Sequence, residues 1–384
     1  MKSYAIQFLY NVGLSSAAVF TPIYAKQLGA SDLTIGYIGM VYGFSIFLSG
    51  MVFGRQADVK GRRRFMIIGL FFATILAALQ ALAADPYVLM VGRFGLGFAA
   101  GMFPPALVAY AHDEGKLMGK FAAMGSLGFG VGNLLVSFVA AATWLYGTLT
   151  LAQGVYMSGS IMLAAAFAMA LMLKPVSRTR VAVPAFPLGV IKRNRDVYIS
   201  FLIRHTGANA VWVIFPIYVL SLSPRTASGG PDYTWLGIIY AANALSQAVI
   251  MQFIDAFDGR RLVVAGEALT VATFIGFYFS TNHIHLLIFS FPLAASWSCL
   301  YVGSLKTIME RSPEKATASG LLTSTTSMAA IFGPLLGGVV SEAFGYRETI
   351  LFAAVLTVVA LIAFKFLTDA VERQYESGPP SAAP

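Results

Sequence analysis

The sequence predicts an all-α integral membrane protein: twelve transmembrane helices in two pseudo-symmetric six-helix bundles. Three observations lead there. Of the 384 residues, 58% are hydrophobic and only 11% charged, too few polar side chains to cover a water-soluble globule of this size. Apolar runs of roughly 20 residues, the length that crosses the hydrocarbon layer, recur from end to end between short polar breaks. Basic residues gather on alternate sides of those runs.

In order, the spans and their reasons are as follows. Span one (4–25) carries Gln7 and Asn11 and is followed by many similar runs, so it reads as a retained helix rather than a signal peptide. Span two (33–54) is rich in glycine, and span three (65–84) is almost wholly apolar. Span four (87–110) holds Arg93, span five (118–141) has "GSLGFGVG", and span six (152–173) is again apolar. Span seven (196–220) carries Arg204, His205 and Asn209; span eight (233–254) has "LGIIYAANALS"; span nine (262–281) is apolar apart from Glu267. Span ten (285–306) holds Ser290, Trp297 and Tyr301, span eleven (317–340) has "GLLTSTTSMAAIFGPLLGG", and span twelve (347–368) is apolar.

A unit of three helices, polar then small then apolar, thus repeats four times. Polar groups are costly in a bilayer and face an interior, so spans one, four, seven and ten should line a cavity. Helices associate in lipid through Gly, Ala, Ser and Thr, so spans two, five, eight and eleven should join the halves. Every third span should face lipid. The Pro-containing connection between spans six and seven divides the chain: a first bundle over 1–174, a cytoplasmic linker over 175–195, a second bundle over 196–368, and a disordered cytoplasmic tail over 369–384.

Of the 26 basic residues, Lys26, Arg225 and Arg347 fall on one side, Arg93 and Arg204 fall inside spans, and the rest lie on the side of the termini. Both termini should therefore be cytoplasmic in a multi-pass protein of the cell membrane. The net charge of +9 is a topology signal facing anionic lipid, with no nucleic acid required. One cysteine, Cys299, excludes an intrachain disulfide framework. No phosphate-binding loop accompanies a soluble domain, and four scattered histidines supply neither a metal cluster nor an enzyme's machinery. His283 and His285 have no third ligand, so neither metal nor cofactor is expected.

The densest charge lies in "GRQADVKGRRR", residues 54–64, between spans two and three. Here Gly54 should end one helix and Gly61 permit a tight turn, with Asp58 accepting from an arginine or a helix N-terminus and the cluster latching the halves. Gly54, Asp58, Gly61, Arg62 and Arg63 match G-x-x-x-D-x-x-G-[RK]-[RK], and the chain in this turn resembles the major facilitator superfamily. "RFGLGFAAG" from Arg93 is similar to that family's fourth-helix pattern, with Leu96 where glutamine is usual, and "FIDAFDGRR" to the second copy of the turn, with one residue too many. The proline of the antiporter pattern is missing from span five. The resemblance implies two bundles of inverted three-helix repeats that rock around a central site, an arrangement for which this superfamily is itself a standard example.

On span seven, Arg204, His205, Asn209, Trp212 and Pro216 fall within an arc of about 140°, taking roughly 100° per residue. Arg204 lies roughly 12 Å deep in a core of about 30 Å, where it should face a carboxylate, an anionic substrate or water; a structural interhelical pair is the alternative. Arg93 and Asn11 extend the lining, as do Trp297 and Tyr301, for which ordinary packing is the competing reading. His205 is a proton-coupling candidate unless it is a satisfied core histidine. Glu267 is a second, although a structural pair with Arg261 at the basic helix end is the favoured reading for it. The function expected is a monomeric secondary transporter, proton-coupled, moving a small anionic or polar organic solute. The alternatives are a multidrug-type exporter of amphipathic compounds and, from another class, a membrane enzyme or channel.

Overall fold

The computed structural model describes residues 2–116, 118–146, 150–174, 188–227, 229–312 and 315–376, with the side chains of Arg55 to Lys60 outside that description. Apolar sequence without competing strand partners forms helices, which satisfy every backbone group internally. The described residues are almost entirely helical: α1 (Lys2–Gln27), α2 (Asp32–Lys60), α3 (Arg62–Leu79), α4 (Pro86–Asp113), α5 (Met118–Tyr146), α6 (Leu151–Leu171), the short α7 (Leu188–Arg193), α8 (Arg195–Leu222), α9 (Thr234–Ile250), α10 (Gly259–Phe279), α11 (His283–Arg311), α12 (Lys315–Phe344) and α13 (Tyr346–Glu376). Eleven are long and apolar enough to cross a membrane; α9, at 17 residues, is shorter, because the chain leaves it for turns and a 3-10 segment at Ile254–Ala256.

Three boundaries differ from expectation. Gly54 does not end a helix: α2 runs on to Lys60, and Gly61 alone makes the break, at φ 119. That backbone conformation lies where an L side chain is strained, so a single glycine does what a ten-residue turn was expected to do. Asp58 sits on the last turn of α2 with its side chain outside the described residues. The tail is helical as far as Glu376, since α13 simply continues as its sequence turns polar; residues 377–384 lie outside the described residues. So does most of the 175–195 connection, whose end forms α7.

The three-helix repeat reappears as packing. The outermost helices expose apolar rows, Phe71, Phe72 and Ile75 on α3 and Val355, Val359 and Ile362 on α13, where hydrocarbon replaces water. The bundles meet along two antiparallel pairs, α2 with α12 and α5 with α9. Small residues set the approach. A Cβ on Gly36 would stand 2.6 Å from the Pro334 carbonyl oxygen, one on Gly39 would meet the Pro334 ring, and one on Gly43 would strike the Ala330 carbonyl. Between α5 and α9, Gly237 lies against Ser137 and Asn133, and Gly130 faces Ala244.

The Gly43 and Gly130 contacts lie near mid-depth, and those of Gly36, Gly39 and Gly237 lie toward the end of the molecule distal to the termini. There Glu342 of α12 accepts the Asp32 and Leu33 amides of α2 at 2.7 and 3.2 Å, a carboxylate capping the positive end of a helix in the other bundle. Lys26 pairs with Asp32 at 2.6 Å, and Tyr346 donates to the same carboxylate at 3.4 Å. Toward the terminal face the pair separates: Gly50 of α2 and Gly320 of α12 have nothing within 4 Å of a built Cβ. The molecule is closed distally and splayed on the terminal side.

Within the second bundle, buried Asp196 accepts two hydrogen bonds from Arg311 Nη1, at 2.8 and 2.7 Å, and a third from Thr368 at 2.9 Å, tying α8, α11 and α13 at the terminal face. In the first, Arg63 donates to the Leu171 carbonyl at 2.8 Å. This basic residue of the turn motif thus meets the C-terminal end of α6 in its own bundle.

A Gly43→Leu substitution places a branched side chain against the Ala330 backbone and should hold the distal end open. With Ala25→Cys as a reporter, labelling by a bulky maleimide in purified protein should speed up roughly tenfold, the ratio that a shift of about 1.4 kcal/mol produces; an unchanged rate would mean that the close α2–α12 approach does not seal this end.

Candidate functional site

Between the bundles lies a cavity of about 380 Å³, within the size range of small-molecule sites. Its wall takes Arg204, His205, Ala208, Asn209 and Trp212 from α8, residues that share one helical face by their spacing. Opposite stand Phe129 of α5, Tyr240, Asn243 and Gln247 of α9, Phe274 of α10, and Leu293 and Trp297 of α11. A second cavity of about 230 Å³ adjoins it, sharing Ala18, Asn209 and Trp212, and is lined by Arg93 with Tyr42, Thr21 and Pro334 among others.

Arg204 is 2% exposed. Its Nε and Nη2 donate to Thr270 Oγ1 at 3.2 and 2.9 Å, and that hydroxyl spends its own proton on the Gly266 carbonyl at 2.7 Å, leaving its lone pairs for the guanidinium. Nη1 has no hydrogen-bond partner among the described residues and is not among the enclosed unpartnered atoms, which leaves it on the cavity that Arg204 lines. One turn away, Ser200 donates a short hydrogen bond to Glu267, which is fully buried. Ser200 and Arg204 on α8 thus face Glu267 and Thr270 on α10 as a two-rung polar seam. Glu267 was expected to pair with Arg261. That expectation fails: Arg261 is exposed at the N-terminal turn capped by Asp258, while Glu267 lies on the face turned toward α8, with Oε2 unpartnered.

The aromatic side is continuous. His205 stacks on Trp297 with centroids 5.1 Å apart at 28°, and Trp297 on Tyr301 at 5.4 Å and 21°; the Arg204 Cζ lies 5.8 Å from the Trp297 ring centre, within cation–π range. His205 Nδ1 is enclosed without a partner. Trp212 packs on Tyr240 at 5.7 Å. Tyr301 is 37% exposed and continues the stack outside the cavity wall.

Arg93 is 5% exposed, its Cζ 3.9 Å from the centre of the Tyr42 ring. Gly97, one turn on, brings the helices that close: a Cβ there would stand 2.7 Å from the Tyr42 carbonyl oxygen. Asn11 does not reach either cavity. Its Nδ2 donates to the Gln7 carbonyl at 2.8 Å and its Cβ packs against Gly128 of α5, because α1 turns that face toward its neighbour in the same bundle. Sequence reasoning also passed over Asn243 and Gln247, joined at 2.6 Å with Asn243 anchored to the Ser290 carbonyl at 3.1 Å. Two amides four residues apart in an otherwise apolar helix were the available signal.

The profile of the Major Facilitator Superfamily matches residues 4–198 and again 197–383, one match for each bundle. The chain belongs to the Major Facilitator Superfamily. Among similar superfamily members is the "Quinolone resistance protein NorA" of Staphylococcus aureus, 22% identical over 351 residues that cover 86% of this chain and 87% of that protein. Another is the "Multi-drug resistance efflux pump PmrA homolog" of Lactococcus lactis, 22% identical over 387 residues, covering 92% and 91%. In fold the chain is similar to the nucleoside transporter NupG, with TM-score 0.78 at 14% identity over 96% of this chain and 98% of that one. It is similar also to a bacterial homologue of the human lysosomal transporter Spinster in an inward-facing, unoccupied conformation, with TM-score 0.75 at 14% identity over 100% and 98%. Superfamily members are transporters of small molecules and not enzymes, and this one is a multi-pass membrane protein.

Thr270→Val keeps the shape of the α10 side chain but leaves two donors of Arg204 buried without an acceptor. We expect a loss of about 1–3 kcal/mol, the usual cost for such groups, read as a lower midpoint of thermal unfolding in detergent; an unchanged midpoint would show that Arg204 is held by something other than this hydroxyl.

Proposed function

We propose that the protein is a secondary transporter of a small organic anion, moved by alternating access about the cavity between the bundles. The observation that carries this reading is the Arg204 guanidinium, buried and fixed by Thr270 yet with Nη1 left on the cavity, beside the wall formed by Trp212, Tyr240 and Trp297. The Glu267 carboxylate in the same seam offsets only part of the cost of a cation in a membrane interior, and an acidic group carried by the ligand would meet the nitrogen that faces the cavity. The aromatic faces supply apolar area and stacking for the remainder of the molecule. The distal closure and terminal-side splay correspond to one of the two states such a cycle requires. The concentration of basic residues supports a terminal side that faces the cytoplasm.

Protons are the proposed coupling ion. Glu267 and His205 are the titratable groups beside Arg204. A proton gained on Glu267 together with an anion gained on Arg204 adds no net charge to the interior, so both can travel in one cycle. The second reading is export of amphipathic compounds by proton antiport. It is favoured by the aromatic wall and by relatives named for quinolone resistance and multi-drug efflux.

Arg204→Gln separates the two. With aromatic carboxylates and their matched neutral amides as thermal-shift probes on purified protein, the carboxylates should stabilise the parent and lose roughly tenfold or more in affinity in the variant, the worth of a charge-assisted contact, while the amides stay unchanged. Equal stabilisation by acid and amide in both proteins would favour the exporter of neutral amphipaths.

A further inference from the structure

The first bundle holds one cation away from its helix ends and no acid to match it. Its five acidic residues, Asp32, Asp58, Asp85, Asp113 and Glu114, all lie in the connections or in the terminal turns of helices. Arg93 is the exception in the interior. Unlike Arg204, it has no hydroxyl anchor among the described residues: its Nε and Nη1 are enclosed without a hydrogen-bond partner there, and its Cζ lies over the face of Tyr42 at 3.9 Å. Nη2, absent from those enclosed atoms, is left on the 230 Å³ cavity that Arg93 lines. The Thr21 hydroxyl on the same cavity donates to the Ala17 carbonyl at 2.6 Å and lies 3.2 Å from the Tyr156 hydroxyl. A buried guanidinium that turns one nitrogen to a cavity, with no acid beside it, favours an anionic ligand there.

That space is not isolated. Asn209 and Trp212 of α8 line both cavities, so a molecule lying across them would reach Arg93 of the first bundle at one end and Arg204 of the second at the other. We infer that the Arg93 lobe is a second anion subsite, and that the transported molecule is an organic dianion with an apolar, aromatic-sized middle, gripped by one arginine from each bundle. The inference rests on the reading of Arg204 as an anion anchor and extends it. A ligand held in this way would couple the two bundles directly, because each of its charged ends is met by an arginine of a different bundle.

The test compares rigid aromatic dicarboxylates of two lengths, naphthalene- and biphenyl-dicarboxylate, with their monomethyl esters, by thermal shift and by equilibrium binding to the purified full chain. At least one diacid should bind the parent roughly tenfold or more tightly than its monoester, the gain that one charge-assisted contact supplies. Arg93→Gln should bring the diacid down to the monoester's affinity and leave the monoester's own affinity unchanged, and Arg93→Lys should restore part of the difference. Should the glutamine variant not fold, the diacid-to-monoester ratio in the parent still decides. If diacid and monoester bind alike and both depend on Arg204, the second subsite is wrong and the anion reading survives. A lower melting point for Arg93→Gln with an unchanged diacid-to-monoester ratio would likewise overturn the proposal, making Arg93 a structural residue. If neither ligand depends on Arg204, both readings fall.

Discussion

In a bilayer, apolar surface gains nothing by leaving lipid for another helix, so two helical bundles stay together only where their backbones come close enough for dispersion and polar contacts to act. This constraint decides the shape of the molecule. The close approaches at Gly36, Gly39 and Gly43 of α2 and at Gly130 and Gly237 of α5 and α9 run from the distal end, where Glu342 also caps α2 across the interface, to about mid-depth. Where these contacts stop, the bundles part and the cavity begins. A seam made of small side chains is shallow, with no interlocking bulk to be torn apart, and suits an interface that must open and close.

The interior polar groups divide by how completely they are paired. Asp196, with Arg311 and Thr368, satisfies itself and fixes the terminal end of the second bundle as a rigid body. The seam of Ser200 and Arg204 against Glu267 and Thr270 is paired within the protein yet presents one guanidinium nitrogen to the cavity. Arg93 is the least compensated of all. That gradient, from closed lock to half-open seam to unmet cation, runs from scaffold toward ligand space, and charge left unmatched inside a membrane is where a charged ligand has most to offer.

The repeat of polar, small and apolar helices was legible because lipid penalises each departure from apolarity, so every polar residue within a span carries information. The face of α8 from Arg204 to Trp212 could be read from helical spacing alone, since those positions fall on one side whatever the neighbours do. The glycine-rich helices could be assigned to the seam because small residues have few other reasons to cluster there. What spacing does not encode is which neighbour a face meets. Asn11 shares its character with the cavity residues, yet α1 turns it toward Gly128; Glu267 lies within helical reach of Arg261, yet its side of α10 belongs to Ser200. Asn243 and Gln247 were hidden by the small residues around them. Gly61 was recognised as a turn residue, but only the observed backbone shows that it is the whole turn.

Distances between spin labels measure whether the two bundles rock as rigid bodies about the α2–α12 and α5–α9 seams. One pair, at Gly50 and Gly320, reports the splayed terminal side, and a second, on the connections flanking Asp32 and Tyr346, reports the sealed distal end. The account predicts that conditions populating the other state shorten the first distance while lengthening the second. Both distances changing in the same direction, or the first changing while the second stays fixed, would contradict it.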